Sequence, residues 1–359
     1  MDYAVAGVDT AAGDRAVELM KGAVAATHGP EVLAGSGGFA GMFDASALLR
    51  MNHPILATST DGVGTKIEIA RAMDVHDTIG RDLVAMVVDD LVVCGARPLF
   101  MTDYIACGKV VPERIAAIVR GIAEGCSETG TALVGGETAE HPGVMAPDEY
   151  DIAGAATGVV DAAEIRGPVR VADGDAVVAL ASSGVHSNGY SLVRRIIADV
   201  GWSLGSEVPE FGRTLGEELL EPTRLYTRLC LELLPDVHAY AHVTGGGLAA
   251  NLSRVMPEGA IAVVDRGEID VLPVFRVLRE AGGLTWAAAE DTFNLGAGML
   301  AVVPAESVAR VVSVSRAAGV EASHIGDVVF GTAAPAGSRV VAGTKGVTAG
   351  AVAMVGSYS

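Results

Sequence analysis

The segment Asp61-Gly62-Val63-Gly64-Thr65-Lys66 combines residue types that could bind a phosphorylated ligand. Its glycines let backbone N–H groups approach phosphate oxygens, Asp61 can hold Mg²⁺, and Lys66 can neutralise a phosphate. The spacing is not that of a Walker A loop. An ordinary glycine turn capped by Asp61 explains the same residues. The chain has only four lysines, and this scarcity favours a function for Lys66.

One nearly all-apolar helical segment carries three carboxylates, Asp82, Asp89 and Asp90. The first two are seven residues apart and share a helix face, and Asp90 lies about 100° further around. Buried carboxylates are costly unless they are paired or bound to a metal. Pairing with Arg81 or Arg97, or an exposed end of the helix, is one interpretation, and a divalent-metal site is the other.

A third motif, Gly135-Gly136-Glu137-Thr138-Ala139-Glu140, follows a short buried-type strand at residues 131–134. Glycines at the carboxyl end of a strand, followed by a carboxylate, suit a ligand site at the edge of a sheet. A hairpin turn would explain the motif equally well.

Two polar, glycine-rich turns in the second half of the chain precede helical segments, at residues 182–189 and 242–247. Such helix starts offer N–H groups to an anion, although a simple helix cap is the plainer reading of each turn. Each turn carries a histidine, His186 or His242, that could act as an acid or base. A lone histidine is more often structural.

These motifs lie between alternating strands and helices, which predicts an α/β layered protein. The sequence 167–174 is the best domain boundary, so we expect an N-terminal domain at 1–168 and a C-terminal domain at 169–359. The tail from residue 331 has weak periodicity. Predicted strands are Ile55–Thr60, Pro98–Cys107, Thr131–Val134, Tyr150–Val160, Ala176–Ala181 and Phe293–Val303; predicted helices follow Ile79, begin at Pro112, contain Leu192–Ile197 and span Thr223–Leu233.

Composition excludes several classes of protein. The chain has 359 residues and a net charge of −19, which argues against a broad nucleic-acid-binding face. Half of the residues are hydrophobic, so global disorder is excluded. There is no charge-free run of 18 apolar residues, so we expect no membrane span. Four scattered cysteines and a start without a basic segment predict a cytoplasmic protein with no disulfide framework or zinc site.

Ordered motifs from about residue 3 to residue 330 resemble those of the AIR synthetases, the phosphoribosylformylglycinamidine cyclo-ligases. A wider superfamily includes a glutamine-dependent amidotransferase, thiamine-monophosphate kinase and selenophosphate synthetase. The segments that carry the resemblance are Ala6–Asp9, Gly37–Phe39, Thr60–Lys66, His76–Gly80, Asp90–Val93, Leu133–Glu140, Ser183–Leu192, Pro222–Arg224, Thr244–Gly247 and Thr292–Asn294.

The resemblance implies a two-domain fold in which each domain is a mixed sheet with packed helices. It implies a homodimer whose N-terminal sheets pair into a barrel. The implied reaction converts formylglycinamidine ribonucleotide and MgATP to aminoimidazole ribonucleotide, ADP and phosphate. The formyl amide oxygen attacks the γ-phosphate to give an iminophosphate, and the amidine nitrogen then closes the ring.

The resemblance also assigns residues. Lys66 and His186 would be catalytic, and Asp61, Asp90 and Asp89 would be the candidate Mg²⁺ ligands. Where the family is expected to have Asn-Asp, this chain has Asp89-Asp90. The mobile segment 35–39 would close over the site. ATP would contact Gly37, Gly38, Asp61, Gly62, Gly64, Thr65, Lys66 and Glu137; substrate would contact His186, Ser187, Asn188, Thr244, Gly245, Gly246 and Asn294.

Two alternatives remain at this point. A phosphotransferase of the same superfamily would release a phosphorylated product and not a dehydrated ring. A non-catalytic dimeric relative is the other alternative, and the presence of Asp61, Lys66, Asp90 and Glu137 argues against it.

Overall fold

The computed structural model describes residues 10–33, 39–343, 347 and 350–358. The chain divides into two compact units, residues 1–92 with 96–165, and residues 93–95 with 166–359. Each unit contains a mixed sheet with packed helices, which confirms the predicted α/β fold class. The assignment of ATP to one domain and substrate to the other stays a prediction. No described helix is long and apolar enough to cross a membrane.

The N-terminal unit is built on a four-stranded sheet. Its helices and strands are α1 Thr10–Ala26, β1 Val32–Leu33, β2 Met42–Phe43, β3 Pro54–Gly62, α2 Ile67–Met73, α3 Thr78–Val92, β4 Arg97–Cys107, α4 Pro112–Thr129, β5 Ala132–Glu140 and β6 Tyr150–Asp161.

The strand order of this sheet is β3-β6-β4-β5, with β4 and β5 parallel and the other pairs antiparallel. Burial alternates along β3 because successive side chains of a strand point to opposite faces. Helix α3 packs on β3, β4 and β6, and α4 packs on α3 and α1. One face of the sheet therefore carries the core of the unit.

Two glycines let α3 and α4 approach each other closely. A Cβ atom on Gly121 would lie 1.8 Å from the carbonyl oxygen of Asp77, and one on Gly80 would lie 2.4 Å from that of Ile118. Helix α4 begins at Pro112, as predicted, and ends at Gly130, whose φ of 72° is in the left-handed region. The sequence therefore fixes both the ends of α4 and its contact with α3.

The C-terminal unit contains a larger sheet and a tail that joins it. Its elements are β7 Ala176–Ala181, α5 Tyr190–Val200, β8 Glu207–Val208, β9 Arg213–Thr214, α6 Leu215–Leu219, α7 Thr227–Leu233, β10 Ala239–His242, α8 Gly247–Ser253, β11 Ala260–Asp265, α9 Pro273–Ala281, α10 Trp286–Glu290, β12 Ala297–Val303, α11 Val308–Ala317, β13 Ala322–Phe330, β14 Arg339–Ala342 and β15 Ala351–Val355.

Seven strands form this sheet in the order β10-β12-β7-β13-β11-β15-β14. Strands β7 and β12 are buried along almost their whole length, which explains their continuous apolar sequences. The tail, to which sequence periodicity assigned little structure, supplies β14 and β15, and β15 pairs in parallel with β11. Those pairings come from residues far apart in the chain.

Candidate functional site

The loop after β3 begins at a buried residue and then exposes its backbone to solvent. Val63 is buried, whereas Gly64 and Thr65 are exposed. Gly64 has a φ of 70°, and a Cβ atom there would meet nothing within 4 Å. The carboxylate of Asp61 accepts a hydrogen bond from the backbone N–H of Gly62 at 2.8 Å. The loop thus has the open backbone that a phosphate site requires, and Asp61 stands at its start.

Lys66 lies behind this loop and not on its surface. Its Nζ is 2.9 Å from Oδ1 and 2.8 Å from Oδ2 of Asp82, and neither side chain is exposed. Arg81, one of the two arginines considered as partners for the α3 carboxylates, binds Glu128, and Asp82 binds Lys66. The contact of Lys66 with ATP phosphates stays a prediction. The observed geometry gives Lys66 another task, which is to tie the loop to α3.

Helix α3 passes over two different rows of the sheet, and Asp82 and Asp90 lie near different rows. A Cβ atom on Gly154, the register partner of Asp61, would lie 3.4 Å from Leu83. One on Gly158 would lie 3.3 Å from Leu91. Gly154 and Gly158 are four residues apart on β6. Each forms, with its register partners on neighbouring strands, a row across the sheet, and the two rows are about 13 Å apart.

Asp90, next to Leu91, therefore sits near a different row from Asp61. Asp89 is fully buried and Asp90 is exposed. Among the residues that the structure describes, no group of three His, Cys, Asp or Glu side chains could hold a metal ion. The assignment of Asp89 and Asp90 as ligands stays a prediction.

The row that contains Asp61 includes a second carboxylate that sequence reasoning missed. Asp61 is paired in register with Gly154, Gly154 with Asp103, and Asp103 with Gly136. Registered neighbours point to the same face of a sheet, so Asp61 and Asp103 share a face about 10 Å apart, with glycine between them. The sequence did carry a signal for Asp103, namely an acidic residue inside the otherwise apolar strand β4.

Gly135–Glu140 forms part of a strand. Strand β5 continues to Glu140 and pairs in parallel with β4, so the hairpin interpretation is wrong. Glu137 is exposed and pairs in register with Tyr104. The contact of Glu137 with ATP stays a prediction. Its side chain is accessible to a ligand.

Burial changes the acidity of Asp103. The pKa of its carboxyl is raised to about 7 because the surrounding apolar groups disfavour the ionised form, and a hydrogen bond with its own backbone opposes this only in part. The carboxyl lies directly over Gly136, where a Cβ atom would be 2.2 Å from Oδ1 of Asp103. Gly136 therefore provides the space that Asp103 occupies.

In the C-terminal unit the structure brings the two polar turns together. A Cβ atom on Gly245 would lie 3.4 Å from Oδ1 of Asn188, so the turn before α5 contacts the turn before α8. Asn188 and residues 244–246 are partly exposed, whereas Ser187 is buried and lies 3.4 Å from the hydroxyl of Thr223. The accessible members of the predicted substrate set are therefore Asn188 and the residues 244–246.

His186 has a structural role in the first turn. It is buried, has a φ of 64°, and its Nε2 accepts a hydrogen bond from the backbone N–H of Ser183 at 3.1 Å. This bond places the proton of a neutral imidazole on Nδ1. Proton transfer by His186 stays a prediction. His242, the other histidine of these turns, is also buried.

Asn294 connects a third segment to the same turn. Its Nδ2 donates to the carbonyl oxygens of Gly184 and Val185 at 3.0 and 3.3 Å, and its Oδ1 accepts from Ser182 at 2.9 Å. Asn294 is buried, so the structure shows it bracing the turn. Direct contact of Asn294 with substrate stays a prediction.

Some predicted residues fall outside the described part of the chain. Gly37 and Gly38, assigned to ATP, lie outside the residues that the structure describes. The predicted closing segment 35–39 lies there as well, except for Phe39, whose side chain is 99% exposed.

Comparison with known proteins gives a consistent result. Residues 43–160 match the family described as AIR synthase related protein, N-terminal domain, and residues 172–333 match the corresponding C-terminal domain. The chain is 50% identical over 332 residues to the phosphoribosylformylglycinamidine cyclo-ligase of Brevibacillus brevis, covering 92% of this chain and 96% of that one.

Solved structures share the fold at low sequence identity. Thiamine-monophosphate kinase from Stenotrophomonas maltophilia superposes with a TM-score of 0.67 at 18% identity, covering 96% of this chain and 97% of that one. The hydrogenase maturation protein HypE in complex with ATP gives 0.62 at 19% identity, covering 91% and 90%. At these identities the likeness shows the fold alone.

Proposed function

The chain belongs to the AIR synthase related protein family, and on that premise we propose that it catalyses ATP-dependent closure of formylglycinamidine ribonucleotide to aminoimidazole ribonucleotide in purine biosynthesis. The observation that carries this proposal is the 50% identity to a cyclo-ligase over 92% of the chain. No observation favours a phosphotransferase over the cyclo-ligase.

We place the ATP phosphates at the loop after β3. The exposed backbone of Gly64 and Thr65 supports this, because N–H groups in such a loop form an anion-binding concavity. Glu137, exposed on β5, would face the nucleotide. Lys66, buried behind the loop, would hold the loop in shape through Asp82.

The residues present fit a magnesium ion that is held mainly by phosphate. Mg²⁺ often keeps several waters and is bound by one or two carboxylates together with substrate phosphates. Asp61 is a partly exposed oxygen donor at the start of the loop and meets this requirement. When bound, the ion would neutralise charge on the transferred phosphoryl group.

Substrate would bind at the joined turns of the C-terminal unit. Asn188 and residues 244–246 present amide and backbone groups there, and α5 begins directly after the first turn. The N–H groups of the first turn of α5 would bind the substrate phosphate. His186 and Asn294 would position this turn from beneath.

The chemistry requires little from the protein beyond positioning and charge neutralisation. The formyl amide oxygen would attack the γ-phosphate with departure of ADP, and the amidine nitrogen would then attack the activated carbon. The C–O bond breaks as phosphate leaves, and a proton is released from the attacking nitrogen. The five-membered ring is the product.

We further propose that two copies pair through the open face of the N-terminal sheet, forming the barrel that the family resemblance implies. Leu56 of β3 is 61% exposed and Tyr104 of β4 is 43% exposed. Both lie on the face opposite the α3 layer. Exposed apolar side chains on an open sheet face favour burial against a partner. We also propose a cytoplasmic location, as expected for a relative of the cyclo-ligases.

One assay tests the reaction. Formylglycinamidine ribonucleotide and MgATP are incubated with the protein, and the products are analysed by mass spectrometry. A product lighter by one water with stoichiometric ADP is expected. A product heavier by a phosphoryl group would support a phosphotransferase instead, and absence of substrate-dependent ADP would contradict both.

The matched variants for this assay are Asp61→Asn and Asp199→Asn. Asp61→Asn is expected to lose at least 100-fold in turnover, because a neutral amide cannot replace a metal-binding carboxylate. Asp199 lies on α5, is exposed and pairs with Arg195, so its variant should keep full activity. Wild-type turnover in Asp61→Asn would remove Asp61 from the proposed site.

A further inference from the structure

The two polar turns of the C-terminal unit pack against the same short segment, residues 290–294, which we call the support segment. A Cβ atom on Gly189, in the first turn, would lie 2.7 Å from Cε1 of Phe293. A Cβ atom on Gly247, in the second turn, would lie 1.7 Å from the carbonyl oxygen of Glu290 and 3.2 Å from that of Phe293. Because these contacts leave no free space, a displacement of the support segment must move both turns.

The support segment begins at a buried carboxylate that two arginines bind. The side chain of Glu290 is 5% exposed. Arg339 of β14 donates from Nη1 to Oε2 of Glu290 at 2.8 Å, and Arg266, which follows β11, binds both oxygens of the same carboxylate. Arg339 also pairs through Nη2 with Asp291. The guanidinium of Arg339 therefore ties two consecutive residues of the support segment to the C-terminal tail.

The environment of Glu290 keeps its carboxyl ionised. Burial alone would raise its pKa, but hydrogen bonds from the two arginines and from Tyr358 lower the pKa of Glu290 below its usual value. Tyr358, at the end of the tail, also stacks on Trp286 of α10, with ring centroids 4.6 Å apart. A buried carboxylate depends on its cationic partners, since removal of one leaves charge without compensation. The position of Glu290 is thus set by the tail.

Glu290 makes both connections through one residue. Its carboxylate binds Arg339 of the tail, and its backbone carbonyl lies against Gly247 of the second turn. We propose that Glu290 is a positioning residue through which Arg339 holds both polar turns in the geometry that binds the ribonucleotide. This inference rests on the proposed function, which places the ribonucleotide at these turns and ATP in the other unit. Weakening the link should therefore affect binding of the ribonucleotide and not that of ATP.

Steady-state kinetics of Arg339→Gln test this link. The KM for the ribonucleotide is expected to rise about 10-fold, because a neutral amide cannot hold the carboxylate in place. The KM for ATP should stay unchanged, which a general loss of folded enzyme would not explain. Arg339→Lys keeps the charge but not the planar fork that reaches two carboxylates, so it should recover part of the loss.

A double-mutant cycle shows whether Arg339 acts through Glu290. Glu290→Gln alone should raise the ribonucleotide KM to a similar extent, and the double variant should raise it no further, because both changes break the same link. Additive increases would overturn the inference. If Arg339→Gln failed to fold, Asp291→Asn, at a carboxylate that is 60% exposed, would take its place with an expected rise of about 2- to 5-fold.

Arg310→Gln is the matched control, since Arg310 of α11 binds Asp236 at 2.8 Å elsewhere in the same unit. Both of its KM values should equal those of the wild type. A wild-type ribonucleotide KM in folded Arg339→Gln, or equal rises in the two KM values, would contradict the role of Glu290.

Amide hydrogen exchange tests the link without turnover. Exchange in residues 184–189 and 244–247 should be several-fold faster in Arg339→Gln than in the wild type or in Arg310→Gln, because the turns lose their support. Unchanged protection of both turns would overturn the inference while leaving the proposed function intact. If the wild type made no product, the proposed function would fail, and the exchange rates would still decide whether the tail holds the turns.

Discussion

Lys66 and Asp82 form an ion pair in the core of the N-terminal unit, with Nζ within 2.9 Å of both carboxylate oxygens and neither side chain exposed. The pair joins the residue that ends the glycine loop to the first turns of α3. One of the four lysines of the chain, at the end of this glycine loop, is thus directed inward. With Lys66 paired to Asp82, charge neutralisation at the proposed phosphate site would depend on backbone N–H groups and on the proposed magnesium ion.

Replacement of Lys66 by methionine should destabilise the protein strongly. The change leaves the buried carboxylate of Asp82 without its lysine partner, and such losses cost about 3–5 kcal/mol. Combining it with Asp82→Leu removes both charges and should recover most of this loss. Urea unfolding measures both effects. Lys21→Met, at an exposed lysine of α1, is the control and should change stability by less than about 0.5 kcal/mol. A stable single Lys66→Met variant would show that the pair contributes little.

Leu56→Asp should convert the proposed dimer to monomers. The substitution places a charge on the open sheet face, where a paired copy would bury it without a partner. Light scattering with size-exclusion chromatography gives the mass directly. Leu49→Asp is the control, because Leu49 is 87% exposed and lies outside the sheet. Equal masses for wild type and Leu56→Asp would place the contact between copies elsewhere.

Gly298→Ala should impair the substrate turn. A Cβ atom there would lie 2.1 Å from the hydroxyl of Tyr226 and 2.5 Å from Cε1 of His186, so both rings must move. Overpacking of this kind costs about 1–3 kcal/mol, and the KM for the ribonucleotide should rise more than the KM for ATP. Gly205→Ala is the matched control, since its nearest atom would be at 3.8 Å. An unchanged substrate KM would separate His186 from the binding turn.

Met354→Ala should destabilise the C-terminal unit by about 2–5 kcal/mol, because Met354 is buried in β15 between the main sheet and β14. Thermal unfolding measures the change, and Ser357→Ala, at an exposed residue, is the control. A loss below about 1 kcal/mol would show that the tail strands are an accessory and not part of the core.

The stability of the N-terminal unit should depend on pH through Asp103. Its pKa is raised from about 3.8 to about 7 in the folded protein, so the folded state retains a proton that the unfolded state releases. Its contribution to stability is therefore highest below pH 4, falls as the pH rises to about 7, and stays low above that. Across this range the effect is on the order of 2–4 kcal/mol.

Asp103→Asn cannot ionise, so the difference in unfolding free energy between the variant and the wild type should grow in favour of the variant from pH 5 to pH 8. Urea titrations at each pH give this difference. Glu124→Gln, at an exposed carboxylate of α4, should run parallel to the wild type. Parallel curves for Asp103→Asn as well would show that the carboxyl of Asp103 ionises normally.

The sequence by itself determined the local elements and the family. Period-2 and period-3.6 patterns, Pro112 and Gly130 as helix ends, and the glycine motifs are properties of short segments, so β3, α3, β4, α4, β6 and β7 appear close to their predicted bounds. The motif order from Asp61 to Asn294 was sufficient for the resemblance, because each motif is a local string.

Tertiary structure decided which groups meet. Lys66 pairs with Asp82, Asp103 joins the row of Asp61, and the tail becomes two strands of a seven-stranded sheet. Each of these depends on strand register or on helix packing between distant segments, for which a single sequence has no local signal. The direction of a side chain, inward for Lys66 and outward for Glu137, follows from the same packing and separates a structural charge from an accessible one.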